Sequence, residues 1–314
     1  MASQKYKRSN TTLGRTKPSE NEGHAFWLSQ GMVLIREKRY DDAISSFDRA
    51  IEIRPDYVQA WHYRGTALRK AGRYYESIES YDKALELRPN YYQAWNYRGV
   101  ALYSLGQYEE SIGSFDRAIT IKSDYSHAWN NRGSALGELQ RYQEAISDYD
   151  RAIAIKPSFF QAWNNKGNML RKLNDYKQAL LAYDEALKFR PNLHETWSHK
   201  GIVLTSLGHY EQAIDAYEEA IGLKPDHAIA WFNRARLLAK LQRHQESIDA
   251  YEYVLTLQPE AYEAWYNCGN VLSKLERYRE AINCYNQAIR IQPEYQEATA
   301  RRDLVLQKLR QQKA

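Results

Sequence analysis

The chain has 314 residues, of which 43% are hydrophobic and 26% are charged, and it contains only two cysteines. This composition is typical of a soluble globular protein, and no apolar run approaches the roughly 18 residues of a membrane helix. The first ten residues, MASQKYKRSN, are polar and basic. We therefore expect no secretory signal, no disulfide framework and a cytoplasmic location.

The net charge of +5 is distributed unevenly along the chain. Residues 1–23 and residues 296–314 each carry five basic and two acidic side chains, so the segment between them has a net charge of −1. A protein that holds a phosphate backbone with repeated units needs its excess positive charge on those units. The distribution argues against nucleic acid as the main partner.

Residues 1–23 are predicted to form a disordered, basic N-terminal tail. They are rich in Ser, Thr, Lys, Asn and Gly and have almost no apolar side chains that could form a core. A basic arm for an acidic partner is the alternative interpretation of this segment.

A 34-residue pattern then repeats eight times without a gap, from residue 24 to residue 295. All eight tryptophans follow this period, and so do seven of the eight prolines. Apolar and small residues recur at helical spacing within positions 1–14 and again within positions 17–30 of each repeat. Each repeat is therefore predicted to form two helices, the second of which ends before the proline at position 32. The repeats are 24–57, 58–91, 92–125, 126–159, 160–193, 194–227, 228–261 and 262–295.

Small residues mark the place where the two helices of a repeat cross. Position 8 is glycine in seven repeats and Ala235 in the other, and position 20 is always Ala or Ser. Glycine inside a helix costs about 1 kcal/mol relative to alanine, so its return at position 8 predicts a close contact there. The Trp at position 4 and the Phe or Tyr at position 24 are expected to fill the space around that contact.

The two ends of the repeat array differ. Residues 296–314 continue the helical pattern without the Trp and the Gly, so they are predicted to form a C-terminal capping helix. In the first repeat, Leu28, Met32 and Ile35 stand where later repeats are mostly polar. They either pack against repeat two or contact a partner or a second copy of the chain.

Trp at 4, Gly at 8, Tyr at 17, Ala at 20, Phe or Tyr at 24, Ala at 27 and Pro at 32 resemble the tetratricopeptide repeat (TPR). The resemblance covers residues 24–295. It implies an all-α fold, a right-handed alpha-alpha superhelix of stacked antiparallel helix pairs. The first helices would line a concave groove.

Six consecutive repeats carry a cation at position 7, where the family usually has an apolar residue. Position 25 carries a carboxylate in the first seven repeats, and both charges are absent from repeat eight, which has Cys268 and Asn286. The favoured interpretation is a structural ion-pair ladder between the two helices, and the alternative is a cationic ladder for an acidic ligand. The cations are Arg64, Arg98, Arg132, Lys166, Lys200 and Arg234.

The surface predicted to line the groove, here the groove face, consists of positions 2, 5, 6, 9, 12 and 13. Asparagine recurs on it although it is a poor helix former, and its amide has both a donor and an acceptor, which matches a peptide group. The pattern resembles the asparagine ladder of certain TPR superhelices. The candidate asparagines are Asn131, Asn165, Asn233 and Asn267 at position 6, with Asn96, Asn130, Asn164, Asn168 and Asn270 beside them. His199 interrupts the row, Tyr63, Tyr97, Tyr103, Phe232 and Tyr266 add rings, and Arg69, Arg171 and Arg236 add rim charges.

Nothing in the sequence indicates catalysis. We find no phosphate-binding glycine loop and no His or Cys spacing typical of a metal site, and we expect no cofactor. Position 5 holds no lysine, which argues against the clamp that some TPR domains use for a C-terminal carboxylate.

The sequence thus predicts a non-enzymatic scaffold that binds an extended peptide or a partner segment in the groove. One alternative is an assembly or regulatory subunit that docks through its N-terminal end. The chain itself is expected to be a monomer or a weak homo-oligomer that associates through that end. A second alternative is an RNA-binding solenoid that uses the tail, the rim bases and the groove tyrosines.

Overall fold

A computed structural model describes residues 23–312, so nearly all of the predicted N-terminal tail lies outside the described residues. The chain divides into two compact units at residues 135 and 136, within helix α7. All regular structure in the described residues is helical, which confirms the predicted all-α fold. The helices are α1 Gly23–Arg36, α2 Tyr40–Ile53, α3 Val58–Lys70, α4 Tyr74–Leu87, α5 Tyr92–Ser104, α6 Tyr108–Ile121, α7 Ser126–Glu138, α8 Tyr142–Ile155, α9 Phe160–Lys172, α10 Tyr176–Phe189, α11 His194–Leu207, α12 Tyr210–Leu223, α13 Ala228–Lys240, α14 His244–Leu257, α15 Tyr262–Lys274, α16 Tyr278–Ile291 and α17 Gln296–Gln311.

Each repeat forms the predicted pair of helices. The first helices occupy about positions 1–13 and the second helices positions 17–30. Within each unit, a helix packs against the helix before it and the helix after it, so each unit is a stack of helix pairs. None of the helices between residues 23 and 312 has the length and apolar character needed to cross a bilayer.

The ends of the second helices show why Trp and Pro share one period. The indole Nε1 of Trp61 donates to the carbonyl of Pro55, and the same bond recurs at 2.8–2.9 Å in every later repeat. In repeat three the acceptor for Trp129 is the carbonyl of Ser123. Because the acceptor is a backbone oxygen, serine can supply it where the proline is missing.

The glycine at position 8 receives the aromatic ring of position 24. A Cβ placed on Gly99 would lie 2.6 Å from Cε1 of Phe115, whose side chain is fully buried. In the same repeat, the Ser111 hydroxyl donates to the Gly99 carbonyl at 2.9 Å. The close contact that the sequence predicts is therefore present, but the ring takes part in the contact itself rather than filling space around it.

Candidate ligand-binding face

The cations at position 7 pair with carboxylates, but not within one repeat. In the first unit Arg64 pairs with Asp48, and in the second unit Lys166 pairs with Asp150, both at 2.6 Å. The sequence predicted these pairs between the two helices of a repeat. The structure corrects this, because each pair joins the second helix of one repeat to the first helix of the next. The other rungs are Arg98–Asp82, Arg132–Asp116, Lys200–Asp184 and Arg234–Glu218.

The geometry of a rung supports the structural interpretation of the ladder. The Arg98 side chain is 25% exposed, and it also donates to Ser114 and lies 5.9 Å from the ring centre of Trp95. All six cations lie over the Trp of their own repeat in this way. These contacts bind the cations within the stack, which favours the structural interpretation over a ladder for an acidic ligand.

The corrected pairing changes the interpretation of repeat eight. Cys268 occupies position 7 there, so its counterpart in the ladder is Glu252 of repeat seven, not the residue at 286. The joint loss of both charges in one repeat was therefore not evidence for pairing within a repeat. Cys268 and Cys284 both belong to the buried core of the second unit.

Position 5 of the first helix lies mostly below the surface. The side chains of Asn96 and Asn130 are only 1% and 8% exposed, so their expected exposure on the groove face was wrong. Both bind Asn131, which donates to Asn96 at 3.0 Å and accepts from Asn130 at 3.3 Å. In the second unit, half-buried Asn164 accepts a bond of 2.7 Å from Thr196.

Asparagines at position 9 bind the buried tyrosines of position 24. The Tyr183 hydroxyl donates to Asn168 at 2.8 Å, and the Tyr285 hydroxyl donates to Asn270 at 2.9 Å. Both rings are fully buried, so each hydroxyl needs a partner at the groove face. The side-chain carbonyl oxygen of each of these asparagines thus has a structural role, which the sequence alone did not indicate.

Position 6 contains the asparagines that remain accessible in the second unit. Asn165, Asn233 and Asn267 are partly exposed. The side chains of Asn233 and Asn267 form no hydrogen bond with any residue between 23 and 312. His199 interrupts the row as predicted, and burial, followed by the charge of Arg171, lowers its pKa to about 4.

In the first unit, position 6 of repeats two and three is tyrosine, and both rings belong to an aromatic cluster. The ring of His62 lies 4.9–5.7 Å from the rings of Tyr63, Tyr81, Tyr91 and Tyr97. Burial, followed by the charge of Arg69, lowers the pKa of His62 to about 4. The Arg69 guanidinium also lies 5.4 Å from the ring centre of Tyr97. Tyr103 lies outside this cluster, edge-on to Tyr108 at 5.3 Å.

Two cavities open on the groove face of the second unit. An apolar cavity of about 350 Å³ adjoins Phe232, Asn233 and Ile229, and the Ile229 side chain is 60% exposed. A second cavity of about 440 Å³ adjoins Tyr251, Asn267 and Tyr285. Several basic side chains line it, including that of Arg236. Tyr266 packs edge-on against Tyr295, 5.0 Å away.

The apolar residues of the first repeat belong mostly to the core. A buried cluster that includes Phe47 of the same repeat and Leu68 of the next repeat packs against Leu28, Met32 and Ile35. Among the described residues of α1, Phe26 and Val33 remain exposed, at 41% and 47%. The packing interpretation therefore accounts for the three residues that the sequence singled out.

Comparison with known families gives one consistent result. Sequence models described as tetratricopeptide repeat match residues 24–57, 46–79, 64–126, 126–159, 160–193, 200–262 and 262–295. Together these matches cover well over half of the chain. A comparison with curated proteins finds no match.

Three solved structures share the fold. YrrB, described as a TPR protein with an unusual peptide-binding site, has 24% identity and a TM-score of 0.54, covering 59% of this chain and 96% of YrrB. The APC/C hetero-tetramer Cut9-Hcn1 has 17% identity and a TM-score of 0.59, covering 91% of this chain and 56% of the matched chain. The pilF protein of Pseudomonas aeruginosa has 16% identity and a TM-score of 0.61, covering 70% of this chain and 99% of pilF. At these identities the likeness shows the fold alone.

Proposed function

Because this chain belongs to the tetratricopeptide repeat family, a family of protein-interaction scaffolds, we propose that it binds an extended peptide segment of a protein partner. The peptide would lie on the groove face of the second unit, at position 6 of successive first helices. The amides at these positions would bind the peptide backbone, and neighbouring cavities would accept its side chains.

The main observation behind this proposal is that two partly exposed side-chain amides form no hydrogen bond within the described residues. Asn233 and Asn267 are one repeat apart on the same face, partly exposed, and without a hydrogen bond inside the described chain. An amide side chain offers a donor and an acceptor together, which is the pattern that one peptide group needs. Asparagine is a poor helix former, so helix stability does not explain its presence at these positions.

The apolar cavity beside Asn233 supports a peptide ligand. Its volume of about 350 Å³ lies within the range of small ligand sites, and its lining combines Ile229 and Phe232 with the polar amide of Asn233. An exposed isoleucine next to an aromatic ring can bury an apolar side chain of the ligand. Backbone recognition at position 6 and an apolar anchor beside it together fit an extended peptide.

Selection from a random library of 12-residue peptides on the full chain tests the proposal. We expect a selected peptide whose affinity, measured by fluorescence anisotropy, falls at least tenfold in the variant Asn233→Ala/Asn267→Ala. Each lost hydrogen bond is worth about 1 kcal/mol, and each amide can make up to two with a peptide group. N-methylation of the peptide backbone at the contacting residues should cause a similar loss.

The control is Asn283→Ala/Asn286→Ala, which removes two exposed amides from α16, a second helix. This variant should bind the selected peptide like the wild type. Equal affinity of the Asn233→Ala/Asn267→Ala variant, with circular dichroism showing an unchanged fold, would refute binding at position 6.

A further inference from the structure

The cavity of about 440 Å³ in the second unit lies between the C-terminal halves of α13 and α15 and the closing helix α17. Its size is in the range of cavities that hold small ligands or several side chains. Five cations line it, and no aspartate or glutamate does. The cations are Arg236, Lys240, Lys274, Arg301 and Lys308.

These five cations differ from the six cations of the ion-pair ladder. None of them forms an ion pair with a carboxylate among residues 23–312, whereas all six cations at position 7 do. Lys240 instead donates to the Tyr210 hydroxyl at 2.7 Å, and its ammonium group lies 4.4 Å from the centre of the Tyr210 ring. Like charges gathered without counter-charges repel one another, so this cluster favours the entry of an anion.

The helix dipole explains only part of the cluster. Lys240 and Lys274 lie in the last turns of their helices, where a cation is favoured in any case. Arg236 and Arg301 lie further from the helix ends. Position 9, which Arg236 occupies, is Met, Thr, Val, Ser, Asn, Ile and Asn in the other seven repeats, and the position of Arg301 holds no cation in any of the eight repeats.

Neutral donors complete the site. Asn267, Asn270 and Ser273 line the same cavity. The carbonyl oxygen of Asn270 accepts from the Tyr285 hydroxyl at 2.9 Å, so its amide nitrogen is the group that remains for a ligand. An acceptor-only ligand with several negative charges matches this set of donors.

We propose that this cavity binds a run of acidic residues, Asp or Glu, in the peptide that the chain recognises. The inference rests on the proposed function, because Asn267 belongs both to the row at position 6 and to the cavity lining. A nucleic acid fits less well, since the cavity's tyrosines, Tyr251 and Tyr285, are at most 1% exposed and offer no ring face for a base. The repeats also carry no excess positive charge.

Binding of fluorescein-labelled hexaglutamate to the full chain, measured by fluorescence anisotropy, tests the inference. We expect saturable binding that weakens as the NaCl concentration rises, and at least a tenfold loss in the variant Arg236→Gln/Arg301→Gln. The control Arg279→Gln/Arg290→Gln removes the same charge from exposed positions on α16 and should bind hexaglutamate within twofold of the wild type. Hexaglutamine should not bind.

Several outcomes would overturn the inference. They are an absence of saturable hexaglutamate binding, an equal loss in the control variant, and binding of tripolyphosphate or a single-stranded oligonucleotide through Arg236 and Arg301 without binding of hexaglutamate. The two proposals fail separately. If a library-selected peptide still binds through Asn233 while hexaglutamate does not, only the acidic-run inference falls. If hexaglutamate binds and no peptide depends on Asn233, the backbone-binding proposal falls.

Discussion

In most repeats with a buried tyrosine at position 24, position 9 on the groove face is polar, and the two positions vary together along the sequence. Phe47 and Phe115 have no hydroxyl, and position 9 of their repeats is Met32 and Val100. Where position 24 is tyrosine, position 9 is polar in five of six repeats, as with Tyr183 and Asn168, and Ile202 is the exception. A comparison of positions 9 and 24 across the repeats could therefore have identified the structural asparagines from the sequence alone.

The stability of the first unit should depend on pH through His62. The unfolded chain protonates this histidine near pH 6.5, whereas burial lowers its pKa to about 4 in the folded chain. As the pH falls between these values, protons bind the unfolded state more strongly. The contribution of His62 is thus complete above about pH 6.5 and is lost at about 1.4 kcal/mol per pH unit down to pH 4.

Urea unfolding at pH 7.5 and pH 5.0 measures this effect. His62→Asn should reduce the difference in unfolding free energy between the two pH values, and Asn96 and Asn130 show that asparagine fits this buried position. His209→Asn, at an exposed site, serves as the control and should keep the wild-type difference. An unchanged difference in His62→Asn would contradict the assignment.

At the scale of the helix, the ion-pair ladder acts as a connector between repeats. A first helix has two neighbours in the stack, the second helix of its own repeat and that of the repeat before it. Helical spacing indicates which residues face inward, but it does not show which neighbour a charge meets. The sequence could therefore predict that the charges pair, whereas the choice of partner required the three-dimensional structure.

Loss of one rung should have a moderate cost. Arg98→Met removes the pair with Asp82, the bond to Ser114 and the contact of the guanidinium with Trp95. Asp82 is 40% exposed and can regain water, so we expect a loss of about 1–2 kcal/mol rather than the 3–5 kcal/mol of a fully buried pair. Chemical denaturation of the purified variant measures the change.

Lys83→Met provides the comparison for this rung, because it breaks only the exposed pair with Glu86 inside one helix. That change should cost less than about 0.5 kcal/mol. If both variants lose the same free energy, the ladder contributes no more than an ordinary surface pair.

At the scale of the molecule, the periodic features were predictable and the local ones were not. The 34-residue period gives the helix pairs, since each unit of sequence can only bury its apolar face against neighbouring units. Adjacent residues of one helix are rotated by about 100°, and this local difference buries Asn96 at position 5 of α5, where it accepts from Asn131 of α7. The cationic cavity unites Arg236 with Arg301 from helices that are distant in sequence, which no spacing rule connects.

Closure of the second unit by α17 leads to a prediction about where unfolding begins. Val305 of α17 is 1% exposed and belongs to the core of the last repeat, whereas the adjacent Leu304 is 44% exposed. Val305→Ser should cost about 2 kcal/mol and release the end of the stack, while Leu304→Ser should be nearly neutral. In a stack whose repeats contact only their neighbours, a local loss stays local. Hydrogen exchange should therefore accelerate in α16 and α17 of Val305→Ser and remain unchanged in α9 and α10. Uniform acceleration across the second unit would show that it unfolds as one cooperative body and would contradict the role of α17 as a local cap.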